Sequence, residues 1–189
     1  MMRVNNMAKN MKDDLKEILV TEEAIRERVK ELGKQISADY ADKDVIFVGI
    51  LKGCYVFMAD LLRSVEIYCD MDFMAVSSYG NGTSSTGAVR ITKDLNKDIE
   101  GKHLIIVEDI LDSGITLGYL KGYLASRNPA SIKIVTLLDK PKRRKNNITA
   151  DYFGFTVPDE FVVGYGLDYA ERYRNLPYIA VLKPEVYEN

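Results

Sequence analysis

Tryptophan is absent from this 189-residue sequence, histidine occurs once (His103) and cysteine twice (Cys54 and Cys69). Without a Cys-x-x-Cys pair or a second histidine there is no ligand set for a structural zinc ion and no disulfide framework. The two cysteines therefore read as reduced thiols of a cytoplasmic protein. No stretch of about 18 apolar residues is present, so no transmembrane helix is expected. The N-terminal "MMRVNNMAKNMKDDLKEILV" is polar and has no signal-peptide h-region, so export is not expected either. An excess of one charge is missing too. The 26 Lys and Arg residues oppose 28 Asp and Glu for a net charge of −2, which supplies no basic field for nucleic acid. Neither G-x-x-x-x-G-K-[ST] nor G-x-G-x-x-G occurs, which removes the fingerprints of Walker-loop nucleoside triphosphatases and of dinucleotide-binding folds.

What is present suits one globular domain over residues 1–189: 47% of residues are hydrophobic, enough for a sizeable core. Residues 1–14 read as a poorly ordered N-terminal extension. In "TEEAIRERVKELGKQISADY" Thr21 is a candidate N-cap, acids fill the first turn, and Ile25, Val29, Leu32 and Ile36 recur at helical spacing. The runs "VIFVGIL" (45–51), "HLIIVEDIL" (103–111) and "IKIVTLL" (132–138) are short, apolar and β-branched, as strands buried on both faces are. Between them "YVFMADLLR" and "TLGYLKGYLASR" have helical spacing. The alternation predicts an α/β fold with a mainly parallel twisted sheet flanked by helices, whose ligand binds beyond the carboxyl ends of the strands. "DMDFMAVSSY" and "AVRITKDL" flank "GNGTSSTG", which predicts an antiparallel pair with a long small-residue loop. "KPKRRKNN" (140–147) reads as a solvated turn after a strand, and His103 as a structural residue at a strand start.

The chemistry concentrates in "VEDILDSGIT" (107–116). Gly114 lets the main chain approach a ligand, Ser113 and Thr116 add hydroxyls, and the N–H groups of a turn opening a helix near Thr116 point into the crevice. Together with Ile115 and Asp112 this makes a cradle for a monophosphate. Upstream, Glu108 and Asp109 cannot face the same phosphate, but they can accept hydrogen bonds from vicinal hydroxyls or help to hold Mg²⁺. A phosphate at one end and a cis-diol close by describe a ribose 5-phosphate.

This acid-acid-x-x-acid-Ser-Gly-x-Thr stretch resembles the phosphoribosyl diphosphate (PRPP) motif of type I phosphoribosyltransferases. With "VGILKG", "SSYGNGTSSTG", "LLDKP" and "DEFVVGYGLDYAERYRNLPYI" in order, the chain is similar to the 6-oxopurine branch, the hypoxanthine-guanine phosphoribosyltransferases, over roughly residues 15–183. The resemblance implies the type I phosphoribosyltransferase fold, with a small hood and a flexible lid loop. It also implies Mg²⁺ as cofactor, PRPP, hypoxanthine and guanine as substrates, and a homodimer or homotetramer. Lys52 and Gly53 would meet pyrophosphate after a Leu-Lys peptide that is often cis in the family; Cys54 stands where the family frequently has Gly. Ser78 and Tyr79 belong to the lid.

For the base, the resemblance implies that Lys140 contacts purine O6, that Phe161 stacks on the ring, that the Val162 carbonyl faces its other edge and that Asp168 also belongs to the purine site. Asp168 lies near a second Mg²⁺, joining Glu108 and Asp109 as metal ligands, and Arg174 reaches pyrophosphate. Asp112 becomes the candidate general acid/base at purine N7. Two alternatives stay open: a xanthine-preferring relative, and a non-catalytic nucleotide-sensing regulator of the same fold. The regulator would be expected to lack part of the catalytic set, whereas Lys52, Asp112, Lys140 and Arg174 are all in place.

Overall fold

The computed structural model describes residues 10–78 and 89–188. In chain order its strands are β1 (Leu15–Val20), β2 (Val45–Leu51), β3 (Asp70–Ser78), β4 (Val89–Lys93), β5 (His103–Leu111), β6 (Ser131–Asp139), β7 (Tyr152–Thr156), β8 (Val162–Val163) and β9 (Ile179–Leu182). Its helices are α1 (Glu22–Asp39), α2 (Tyr55–Ser64), α3 (Ile115–Ala125) and α4 (Pro184–Tyr187). The apolar runs behave as expected. β2 is buried along its whole length but for Leu51, and it pairs in parallel with β3 on one side and β5 on the other. The six-stranded sheet has the order β4-β3-β2-β5-β6-β7, with β4 antiparallel to β3 at the edge.

Helices cover both faces, which is why the central strands carry no polar side. α1 buries Ile25, Val29, Leu32 and Ile36 in a core shared with Phe57, Met58 and Leu61 of α2 and with Phe47 and Val107 of the sheet. Thr21 caps α1 by accepting from Ala24 N at 3.2 Å. On the other face α3 buries Leu117, Leu120 and Leu124 against Ile46, Val48, Leu104 and Ile106. His103 is structural: its Nδ1 lies 2.8 Å from Ser131 Oγ and its ring meets Tyr40 edge-on.

One segment departs from expectation. Met11–Asp14 forms a 3₁₀ turn rather than the end of a loose extension, because Asp14 is buried and accepts from Tyr173 Oη at 2.7 Å. The following segment adds β1 to a second, antiparallel sheet of order β1-β9-β8. This small sheet is the hood. Strand order in the large sheet reverses between β2 and β5, so the crevice lies between the turns that follow those two strands.

Candidate active site

Two turns converge at that reversal. The first follows β2, where the Leu51-Lys52 peptide is cis and Gly53 packs directly on Asp109. A Cβ added at Gly53 would overlap Asp109 Oδ2, and the carboxylate cannot easily swing aside because its Oδ1 accepts from Ile110 N at 2.7 Å. Gly53→Ala is therefore expected to melt lower than the parent, by about 2–4 °C per kcal/mol of clash. A thermal melt of the variant measures this, and an unchanged melt would show that the turn yields without cost.

The second turn follows β5. Gly114 holds φ +77°, a left-handed conformation that suits glycine, and α3 starts at Ile115, one residue before the expected position. No side chain caps α3 with a hydrogen bond. Its first-turn N–H groups remain available for an anion, apart from a long 3.4 Å contact from Ile115 N to Ser113 Oγ. The carbonyls of the turn, by contrast, are tied back from behind. Arg144 Nη1 donates to Leu111 O (3.0 Å) and Asp112 O (2.6 Å), Lys145 N to Ser113 O (2.9 Å), and Asn146 Nδ2 to Gly114 O (2.7 Å). The "KPKRRKNN" stretch is thus not simply a solvated turn. Its Arg144, paired with Asp139, is only 13% exposed and braces the turn that opens α3.

The acids upstream are half-buried. Burial, and secondarily Asp109 beside it, hold the Glu108 carboxyl well above its usual range. Burial pushes Asp109 up to about 6, against the Ile110 N–H and its own N–H, which favour the charged form. Cys54 is buried next to them, and burial and the two carboxylates push its thiol upward, so it is an inert packing residue. A raised carboxyl pKa means that the folded state holds its proton more firmly than the unfolded chain. Asp109's stabilising contribution is therefore present below the unfolded value of 3.8 and is lost as pH rises through about 6. At pH 8 Asp109→Asn is expected to melt higher than the parent, by about 2–4 °C per kcal/mol relieved, with the advantage shrinking towards pH 4. Thermal melts over that range check the sign, and no gain at pH 8 would remove the charge penalty.

The hood and the start of the connection from β6 to β7 supply the opposite wall. Lys140 is 6% exposed, and its Nζ donates to Glu160 O at 2.6 Å. Burial lowers its pKa, opposed by the carboxylates of Asp112 and Asp159. Phe161 is 37% exposed, stacked on Tyr187 at 4.8 Å and met edge-on by Tyr169 at 5.6 Å, so its ring is held in an aromatic trio. Val162 is buried in β8, opposite Val181. Arg174 Nη1 donates to Gly166 O at 2.7 Å, and its buried Nε has no hydrogen-bond partner. Asp112 Oδ1 lies 3.1 Å from Arg143 Nε, an ion pair without hydrogen-bond geometry.

Asp168 pairs with Arg174 Nη2 at 2.8 Å through one oxygen and accepts Glu171 N at 2.8 Å through the other. Its charge also reaches Asp109, whose carboxyl it helps to raise, and among the described residues no three acidic, histidine or cysteine side chains form a metal cage without further ligands. Tyr79 and most of the lid lie outside the described residues, and of Ser78 only the backbone is described, as the end of β3. Glu171, Arg143, Arg144 and Asn146 were not singled out from the sequence. They lie in charged stretches that look like ordinary surface, and only their partners distinguish them.

A model of the phosphoribosyl transferase domain matches residues 16–170. The chain is 58% identical over 179 residues to hypoxanthine-guanine phosphoribosyltransferase of Bacillus subtilis (strain 168), covering 95% of this chain and 99% of that one. It is 57% identical over 179 residues to the enzyme of the same name from Staphylococcus aureus (strain Mu50), covering 95% and 100%. Among solved structures, a hypoxanthine phosphoribosyltransferase from Staphylococcus aureus superposes with a TM-score of 0.93 at 56% identity, covering 97% of this chain and all of that one. With the cradle, the crevice and the sequence agreeing over nearly the full length, the chain belongs to the phosphoribosyl transferase family.

Proposed function

We propose that this chain is a purine salvage enzyme that moves the 5-phosphoribosyl group of PRPP to N9 of hypoxanthine or guanine, giving IMP or GMP and pyrophosphate. The observation that carries it is the uncapped start of α3 at Gly114, with Glu108 and Asp109 one short step upstream at the same strand end. One ligand with a phosphate and a diol satisfies both. The relatives' names supply the base: those enzymes are named for hypoxanthine and guanine.

In this reading the cradle from Asp112 to Thr116 binds the 5-phosphate, and Glu108 and Asp109 face the ribose hydroxyls. Lys52 and Arg174 take the pyrophosphate. Phe161 stacks on the purine, Lys140 donates to O6 and the Val162 carbonyl receives the far edge. The C1–oxygen bond to pyrophosphate breaks as the bond from N9 to C1 forms, and Asp112 takes the proton from N7. Cations fixed beforehand around the leaving group stabilise the charge growing there.

The donor set fits Mg²⁺ held jointly with substrate. Two adjacent half-buried carboxylates whose charges are disfavoured gain from a cation, and Mg²⁺ commonly uses one or two carboxylates plus phosphate oxygens rather than a full protein cage. When bound, it would supply charge neutralisation on the diphosphate. We place the enzyme in the cytoplasm as a homodimer or homotetramer, which sedimentation of the purified chain tests. The deciding experiment for the function is a panel of hypoxanthine, guanine, xanthine and adenine assayed with PRPP and Mg²⁺. Turnover of the first two supports the reading, preference for xanthine selects the close alternative, and ligand binding without turnover selects a regulator.

A further inference from the structure

Lys52 and Arg174 reach the crevice from opposite sides, one from the turn after β2 and the other from the hood, and in this structure they meet on a single carboxylate. Glu171 Oε1 is 3.0 Å from Lys52 Nζ, and Glu171 Oε2 is 3.4 Å from Arg174 Nη2. The backbone is shaped to put it there. Tyr169 and Arg172 exchange main-chain hydrogen bonds of 3.3 and 3.0 Å, which leaves Ala170 and Glu171 as the two central residues of a tight hairpin turn. Their φ values are +50° and +62°. Two consecutive left-handed residues define a turn that normally favours Asn-Gly, so Ala and Glu hold it against their own steric preference. Asp168 fastens the turn by accepting Glu171 N, while its other oxygen pairs with Arg174. The Lys52 ammonium holds the Glu171 carboxyl below its usual range, so the side chain is an anion at neutral pH.

We propose that Glu171 is an internal stand-in for pyrophosphate. It holds Lys52 and Arg174 across the crevice when no diphosphate is bound, and it competes for the same two cations with the diphosphate of incoming PRPP and with the departing product. The proposal rests on the assignment of those two cations to pyrophosphate in the reading above. Exchange is favoured by exposure: the Lys52 and Glu171 side chains are 67% and 65% exposed, so their pairing is weak and screened. A diphosphate carries more charge and more acceptor oxygens than one carboxylate and can take both cations from it. When pyrophosphate leaves, a carboxylate already tethered beside the cations replaces it without having to diffuse there.

The test is isothermal titration of inorganic pyrophosphate, with Mg²⁺, into the full chain and its Glu171→Gln and Glu171→Asp variants. Glu171→Gln is expected to bind pyrophosphate about three- to tenfold more tightly, the factor that follows from removing one or two surface ion pairs. KM for PRPP should fall by a similar factor, KM for hypoxanthine should stay unchanged, and Glu171→Asp should fall between. Equal or weaker pyrophosphate binding by Glu171→Gln, with binding intact in the parent chain, overturns the stand-in role and leaves Glu171 a structural brace. No pyrophosphate binding by any of the three overturns the assignment of Lys52 and Arg174 itself.

Discussion

Asp112→Asn is expected to lower kcat by about 10²–10⁴-fold, the range for a positioned general acid or base, with KM for PRPP little changed. The substitution keeps the shape of the side chain and removes its capacity to take a proton from N7. The backbone that positions it is held independently, since Arg144 donates to Asp112 O at 2.6 Å and Lys145 N to Ser113 O at 2.9 Å. Nor does the folded state depend on the carboxylate's charge. Its ion pair with Arg143 joins side chains that are 51% and 41% exposed, which places it among surface pairs contributing about 0–1 kcal/mol. Pre-steady-state turnover with hypoxanthine, alongside a melting curve, separates the two effects. A fall of less than tenfold in kcat would move proton transfer to another group.

The second large effect belongs to Lys140. Hypoxanthine and guanine present an acceptor oxygen at position 6, whereas adenine presents an amino donor there. One ammonium donor is already engaged by Glu160 O, and the others remain to meet the purine. A hydrogen bond to a charged group contributes ~1.5–3 kcal/mol and a buried donor left facing a donor costs ~1–3 kcal/mol, so the wild type is expected to prefer hypoxanthine over adenine by roughly several hundredfold. Lys140→Ala should remove most of that preference, chiefly by lowering kcat/KM for hypoxanthine. Because Lys140 is 6% exposed and supports Glu160, the variant should also melt lower. The ratio of the two kcat/KM values is the diagnostic quantity, since loss of folded protein cancels from it. A wild-type enzyme that used both bases equally would show that Lys140 serves only Glu160.

The central layers of this fold were legible from local sequence because each element carries its own signal. β2 and β5 occupy the very residues of "VIFVGIL" and "HLIIVEDIL", and Thr21 caps α1 as its side chain predicts. The hood was not legible in the same way. β1 is exposed at three residues in a row, Lys16 to Ile18, and buried only at Val20, and β8 is two residues long; both exist through pairing with β9, distant in sequence from β1. In the site, the left-handed turn at Gly114 and the start of α3 without a side-chain cap follow from the turn chemistry of Ser113 and Gly114. The partners of Asp168, Arg174 and the Glu171 N–H, are set by hood geometry and carry no local sequence signal. Glu171 and Arg144 have side chains common at any surface, and nothing in their neighbours announces a partner.

The brace behind the phosphate cradle bears on how this enzyme can be redesigned. Lys140, to which we assign the base, and Arg144 and Asn146, which hold Leu111, Asp112 and Gly114 by their carbonyls, sit on one connection between β6 and β7. Base preference and sugar-phosphate grip are therefore not separable modules along the chain. Grafting this connection from a relative with another base preference would import a new fastening for the cradle together with the new base contact. The segment from Asp159 to Asp168, to which we assign the rest of the base site, carries none of those fastenings, so libraries aimed at new nucleobases have more freedom there.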